Sequence, residues 1–259
     1  MGKGKSRGFQ KRYGGKGAQQ ARDEETEKGL PSRGFAEEAP SAHGLAGIRW
    51  ESEPVEPRLG GSELDPKLRV RLNALCEEGW DLWERFDIQV RQQSFHPFVA
   101  ADYPVVLEAL ISLREPGLKF LEWGSATGVI TIMADLLGFD AYGIEIDRDL
   151  VDQARDLARR TGSNARFTAG SFLPTGYRWK NRGDDRLGTI GYGDSGYLEL
   201  GMPLEDFDLV FGYPWAGEEP MMHDLMRVYG RADARLLVQT GSGIKIYNAG
   251  RAAPCPSRG

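Results

Sequence analysis

From residue 119 to residue 241, short apolar runs alternate with longer stretches of helical period. KFLEW (119–123), FDAYGIEI (139–146), ARFTAG (165–170), DFDLVFGYP (206–214) and ARLLVQTG (234–241) have the length and content of strands. TGVITIMADLLG (127–138), DRDLVDQARDLARRTG (147–162) and EEPMMHDLMRVYG (218–230) have the period of helices, the second capped by Asp147 and closed by Gly162. Strands separated by helices cannot pair as hairpins. They form βαβ units with parallel strands and right-handed crossovers, so an α/β fold with a doubly wound, mostly parallel sheet is expected. After the fifth strand only GSGIKIYNAGRAAPCPSRG remains, room for one short strand at most, so either the C-terminal side of the sheet is reduced or the chain is truncated.

The domain is expected to span 117–245, with 246–259 as a tail. Before it, Leu68, Leu72, Leu75, Leu82, Trp83, Phe86 and Val90 recur at helical spacing, which predicts one amphipathic helix over 66–92 with a possible break at Gly79. Asp102 is placed to cap a second helix over 104–114, with Pro104 in its first turn. These helices form an expected N-terminal helical cap, 61–116. Residues 1–17 carry six basic and no acidic residues, and 18–40 turn acidic. With no apolar period, residues 1–60 are expected to be a disordered arm, its basic end able to touch an acidic partner. The formal net charge of −5 excludes a chain that binds nucleic acid through bulk charge. No apolar run reaches membrane-spanning length, and the basic start is followed by no apolar segment of a secretory signal. The two cysteines and three histidines suggest neither a disulfide framework nor a metal site, and the cytoplasm is the expected compartment.

The turn EWGSATG, closing the first strand, bears most on function. Ligands of open parallel sheets bind beyond the carboxyl ends of the strands. Gly124 lets the backbone turn sharply there, and Gly128 opens the following helix. Glu145 ends the second strand about twenty residues on, where a carboxylate accepts the two hydroxyls of a ribose. A dinucleotide site would present G-x-G-x-x-G to a pyrophosphate. Here the spacing is E-x-G-x-x-x-G, with Ala126 in place of the second glycine, and Glu122 would repel a pyrophosphate and favour an ammonium group. A ribose at one end and a cationic amino acid at the other describe S-adenosylmethionine.

On these residues the chain resembles the class I S-adenosylmethionine-dependent methyltransferases, which are Rossmann-like. FLEWGSATG looks like their first motif, GIEID like the acidic loop after their second strand, and DFDLVFGYPW like their fourth motif. The resemblance implies that Glu122, Gly124, Ser125 and Gly128 surround the methionine part, that Glu145 holds the ribose and that Ile146 packs on the adenine. Ser171 and Phe172, in AGSFLP, match the segment that flanks the adenine, although Ser171 stands where many members carry an acid.

Methyl transfer from a sulfonium needs an aligned nucleophile and exclusion of water more than a strong acid–base pair. The acceptor is therefore expected at the end of the fourth strand, at Tyr213, Pro214 and Trp215, with Glu218 able to orient an acceptor amine. GYPW lacks the amide or carboxylate that amino-directed methyltransferases often carry there. The same residues also suit ordinary roles, the aromatics as strand-end packing and Glu218 as an acid in a first helical turn. His96, in the aromatic loop before the domain, is either structural or a cover for the cofactor. The long segment 173–205, rich in glycine and tyrosine, is expected to act as a lid. The acceptor is open between small molecule, protein and nucleic acid. Two other functions remain beside methyl transfer, an NAD(P)-binding oxidoreductase and a non-catalytic nucleic-acid-binding protein that keeps the fold.

Overall fold

The computed structural model describes residues 64–93, 96, 98–178, 193–215, 217–241 and 243–248. All of them belong to one unit, Trp50–Gly259. The expected basic and acidic arm, the middle of the expected lid and most of the expected tail lie outside the described residues.

Among the described residues six strands form one sheet in the order β3-β2-β1-β4-β5-β6. They are β1 Lys119–Trp123, β2 Asp140–Glu145, β3 Arg166–Ala169, β4 Leu209–Gly212, β5 Arg235–Thr240 and β6 Gly243–Asn248. The first five pair in parallel, and β6 runs antiparallel to β5. The C-terminal side thus carries a full six-residue strand that reaches Asn248, beyond the expected domain limit at 245. Ile246 is its buried anchor, paired opposite Leu237.

The helices are α1 Pro66–Phe86, α2 Tyr103–Leu113, α3 Val129–Leu136, α4 Arg148–Thr161, α5 Gly196–Leu200 and α6 Glu219–Tyr229. Strand residues alternate between two cores, as a pleated sheet buried on both faces requires. Phe120, Ala141, Leu209, Phe211 and Leu237 pack with α1, α2, α3 and α4. Leu121, Tyr142, Ile144, Val210 and Leu236 pack on the other face with Tyr197 and the α6 residues Met221, Met222, Leu225 and Met226.

Local chemistry explains the helix ends. Asp65 accepts from the Lys67 amide and caps α1, Asp102 accepts from Val105 and caps α2, and Asp147 accepts from Asp149 and Leu150 and caps α4. α1 does not break at Gly79. A Cβ there would lie 2.7 Å from the Tyr103 ring and 3.0 Å from Val129, so this glycine is where α1 packs closely on α2 and α3. The helix widens into a π turn only at Asp87–Arg91. α1 and α2 share the apolar core of α3 and β1.

Strand order reverses at β1, which pairs with β2 on one side and β4 on the other. The turn after β1 folds back over β2, with Gly124 and Ser125 both donating to the Ile144 carbonyl at 2.9 and 3.0 Å. That reversal opens a crevice beyond the carboxyl ends of the strands.

Candidate active site

A cleft of about 290 Å³ occupies that crevice. Eleven of the twelve site residues expected from sequence line it: Glu122, Gly124, Ser125, Glu145, Ile146, Ser171, Phe172, Tyr213, Pro214, Trp215 and Glu218. Gly128 does not. It has φ 79°, and a Cβ on it would come within 2.7 Å of Ala154 and the Phe167 ring. Its role is to let α3 start close against α4 and β3, behind the cleft. Gly124 is the opposite case, at φ 71° with nothing within 4 Å of where a Cβ would stand. It keeps the lip of the cleft open.

Three buried carboxylates line this space, Glu122 and Glu145 from β1 and β2 and Glu218 at the start of α6. Glu145 accepts from the Ala126 amide through Oε2 at 2.8 Å and from the Asp147 amide through Oε1 at 3.0 Å. Burial raises its pKa, and the amides of Asp147, Ala126 and Ile146 oppose the rise. Ala126 itself stands at φ 44°. A left-handed alanine costs about 1–2 kcal/mol, and the Glu145 bond together with packing against Phe86 and Leu150 holds it there.

Glu122 points to the opposite side of β1 from Leu121 and Trp123. Its Oε2 accepts from both the amide and the hydroxyl of Thr131, at 2.9 and 2.5 Å. Burial pushes its carboxyl up to about 8, with the Thr131 bonds opposing and Glu145 adding to the shift. Between pH 4.5 and about 8 the folded chain therefore keeps a proton that the unfolded chain has released, and stability falls as pH rises through that window. Glu122→Gln keeps an acceptor for Thr131 and removes the titration. It should raise the melting temperature at pH 8 and change it little at pH 5. Equal shifts at both values would show that Glu122 does not titrate in this way.

The far wall is aromatic. Phe172 stacks on Trp123 with ring centroids 5.4 Å apart and an interplanar angle of 21°. The Trp123 indole is fixed in turn by donating to the Tyr197 hydroxyl at 2.8 Å. Ile146 is 43% exposed at the end of β2, an apolar platform at the mouth. The segment after Gly170 is tied to the start of α5, with the Ser171 amide donating to the Asp194 carbonyl and the Gly196 amide donating to that of Ser171. Of the expected lid, these described ends therefore sit beside Ser171, while residues 179–192 lie outside the described residues.

At the end of β4, Tyr213 and Trp215 are 37% and 36% exposed. Glu218, in contrast, is buried, with its Oε2 accepting from the Trp215 amide at 2.8 Å and its own amide donating to the Trp215 carbonyl at 3.0 Å. It holds the 215–218 turn closed and thereby sets the two aromatics at the cleft mouth.

Residues the sequence did not mark also reach the cleft. Phe98, Val99 and Ala101 line it from the segment between α1 and α2 and Tyr103 from the first turn of α2, beside the His96 already weighed as a cover. Nothing in their spacing signals this, because the contact depends on how α1 and α2 dock on α3. Thr131 is similar, a partner that only the α3 register brings to Glu122. Among the described residues no group of His, Cys, Asp and Glu could hold a metal ion, and no helix is long and apolar enough to cross a membrane.

The sheet order defines a Rossmann-like, doubly wound fold with the cleft at its switch point. No family model matches the chain. Among curated proteins, a ribosomal protein L11 methyltransferase of Thermus thermophilus is 34% identical over 133 residues, 49% of this chain and 52% of that one. A protein of the same name from Neisseria gonorrhoeae is 28% identical over 142 residues, 51% of this chain and 48% of that one. The chain thus spans about half the length of the curated relatives it matches. Among solved structures, an RNA methyltransferase of Salinibacter ruber in complex with S-adenosyl-L-homocysteine overlays with a TM-score of 0.42 at 16% identity, over 60% of this chain and 97% of that one, an overlap too loose to weigh on function.

Proposed function

We propose that this chain is an S-adenosylmethionine-dependent methyltransferase. The observation that supports it most is the pairing of two buried carboxylates in one cleft, Glu122 at the end of β1 and Glu145 at the end of β2. The donor set fits the cofactor. Each Glu145 oxygen already accepts one amide and keeps a further acceptor site for a ribose hydroxyl. Glu122 receives the ammonium group as a carboxylate, the cation's charge offsetting the burial that keeps it protonated in the free chain, and the open space at Gly124 admits the chain between the two ends. Ile146 and Phe172 offer apolar faces to the adenine, with Ser171 beside them. A pyrophosphate would meet Glu122 instead of a glycine turn, which disfavours a nicotinamide dinucleotide. The similarity to two proteins named as methyltransferases supports the same reading.

Bound S-adenosylmethionine supplies a methyl group on a sulfonium, open to in-line displacement. The chain's own part is to align the acceptor and keep water out. Tyr213, Pro214 and Trp215 form the acceptor wall, and Glu218 positions it through the Trp215 amide. The names of the two relatives make a ribosomal protein the first acceptor to assay with labelled cofactor.

Calorimetry decides the cofactor. S-adenosylhomocysteine should bind and NADH should not, and the reverse result would overturn the proposal in favour of an oxidoreductase. Tyr213→Ala and Trp215→Ala should leave S-adenosylhomocysteine affinity within about threefold of wild type, since stacking losses of order 1 kcal/mol fall on the acceptor rather than the cofactor. The same variants should lower methyl transfer to the acceptor at least tenfold by order of magnitude. Intact transfer in both would place the acceptor elsewhere.

A further inference from the structure

Resting on that cofactor reading, we infer that His96 is a positioning residue that latches the segment between α1 and α2 across the ribose end of the cleft. The ring is held on every side. The Phe98 amide donates to Nδ1 at 3.1 Å, which leaves the proton of the neutral ring on Nε2, facing Asp147 Oδ2 at 3.1 Å. Phe86 meets the ring edge-on at 4.8 Å between centroids. The His96 carbonyl accepts from Arg91 Nε at 3.3 Å, and Arg91 is paired with Asp87 at 2.9 Å, so the segment is also fastened to the end of α1.

What lies across the latch gives it meaning. Asp147 uses its other oxygen, Oδ1, to cap α4, and its amide donates to Glu145 Oε1. Glu145 Oε2 in turn accepts from Ala126 in the turn after β1. One run of hydrogen bonds therefore passes from His96 through Asp147 and Glu145 to the glycine turn. His96 also lines the cleft itself, beside Glu145 and Ile146. Its side chain is only 20% exposed, and that of Asp147 is 29% exposed, so the contact is partly withdrawn from solvent competition. Neither a core histidine nor a plain helix cap needs this arrangement, since the α4 cap is complete through Oδ1 alone.

The test uses the full chain. His96→Ala removes the latch. Asp147→Ser keeps a capping hydroxyl for α4 but is too short to meet His96. His96→Gln restores a donor near the position of Nε2. S-adenosylhomocysteine affinity is measured for each by calorimetry, together with a melting curve. The same is done with an S-adenosylhomocysteine analogue that lacks both ribose hydroxyls. His96→Ala and Asp147→Ser should each weaken S-adenosylhomocysteine by roughly tenfold, as expected for a lost charge-assisted hydrogen bond. The double variant should be no weaker than either single one, because both remove the same contact. His96→Gln should recover most of the affinity. For the dideoxy analogue the variants should match wild type, because Glu145 then has no hydroxyls to meet. Wild-type affinity in His96→Ala would overturn the latch, and so would equal losses for both ligands, which would mean general loosening. Failure of the wild-type chain to bind S-adenosylhomocysteine would instead bring down the cofactor reading, and the latch with it.

Discussion

Replacing Glu145 by alanine should weaken S-adenosylhomocysteine binding by about 10- to 100-fold and lower the melting temperature at the same time. Two losses add. The charge-assisted bonds to the ribose are worth roughly 1.5–3 kcal/mol, about one to two decades of affinity. The amides of Ala126 and Asp147, at present paired to Glu145 at 2.8 and 3.0 Å, are left without that partner. Each stranded buried amide costs about 1–3 kcal/mol, and Ala126, at φ 44°, has little reason to stay left-handed once its bond is gone. Glu145→Gln is the informative companion. It keeps one acceptor oxygen and the shape, so it should retain more of the fold than alanine while still losing ribose affinity. Calorimetry gives the first quantity and thermal melting the second. A folded Glu145→Ala protein with unchanged affinity would remove this acid from the site.

Gly128→Ala should be strongly destabilising for the addition of a single methyl group. At φ 79° an alanine is strained, and its Cβ would stand 2.7 Å from both the Ala154 methyl and the Phe167 ring. Left-handed strain of about 1–2 kcal/mol adds to overpacking of about 1–3 kcal/mol. For a domain of this size that is a fall in melting temperature on the order of 10 °C. Gly124→Ala makes the contrast, since its Cβ meets nothing within 4 Å. It should lose only the left-handed strain of about 1–2 kcal/mol, melting less far below wild type than Gly128→Ala, yet bind S-adenosylhomocysteine poorly, because the new methyl group occupies the cleft lip. If the two substitutions had the same profile, the division between a packing glycine and a site glycine would be wrong.

That division also shows what was legible in the sequence and what was not. The periods of KFLEW, of 147–162 and of 234–241 placed β1, α4 and β5 to within a residue or two, because burial on both sheet faces leaves a continuous apolar signature. Caps at Asp102 and Asp147 were readable for the same local reason. Glu122 and Glu145 could be placed beside the crevice because ligands of open parallel sheets bind beyond the carboxyl ends of the strands. The two glycines of EWGSATG looked alike in sequence, and only the docking of α3 on Ala154 and Phe167 separates them. Gly79 misled as a helix breaker because a glycine required by a neighbouring helix and one that ends its own helix leave the same letter. The partners of Glu122 and of Asp147, Thr131 and His96, come from elements whose approach is fixed by tertiary packing alone.

α1 and α2 have a practical consequence for anyone who wishes to move this module into another protein. A transplant cut at residue 117, just before β1, would look modular by sequence. It would strip Leu72, Leu75, Val106, Leu107 and Leu110 from a core they share with Ile132, Met133 and Phe120. Each such side chain contributes about 1.5–3 kcal/mol when buried, and the cut would also remove the wall made by Phe98, Val99 and Ala101. The smallest portable unit with an intact binding surface therefore starts no later than Leu64, the first buried residue among the described ones.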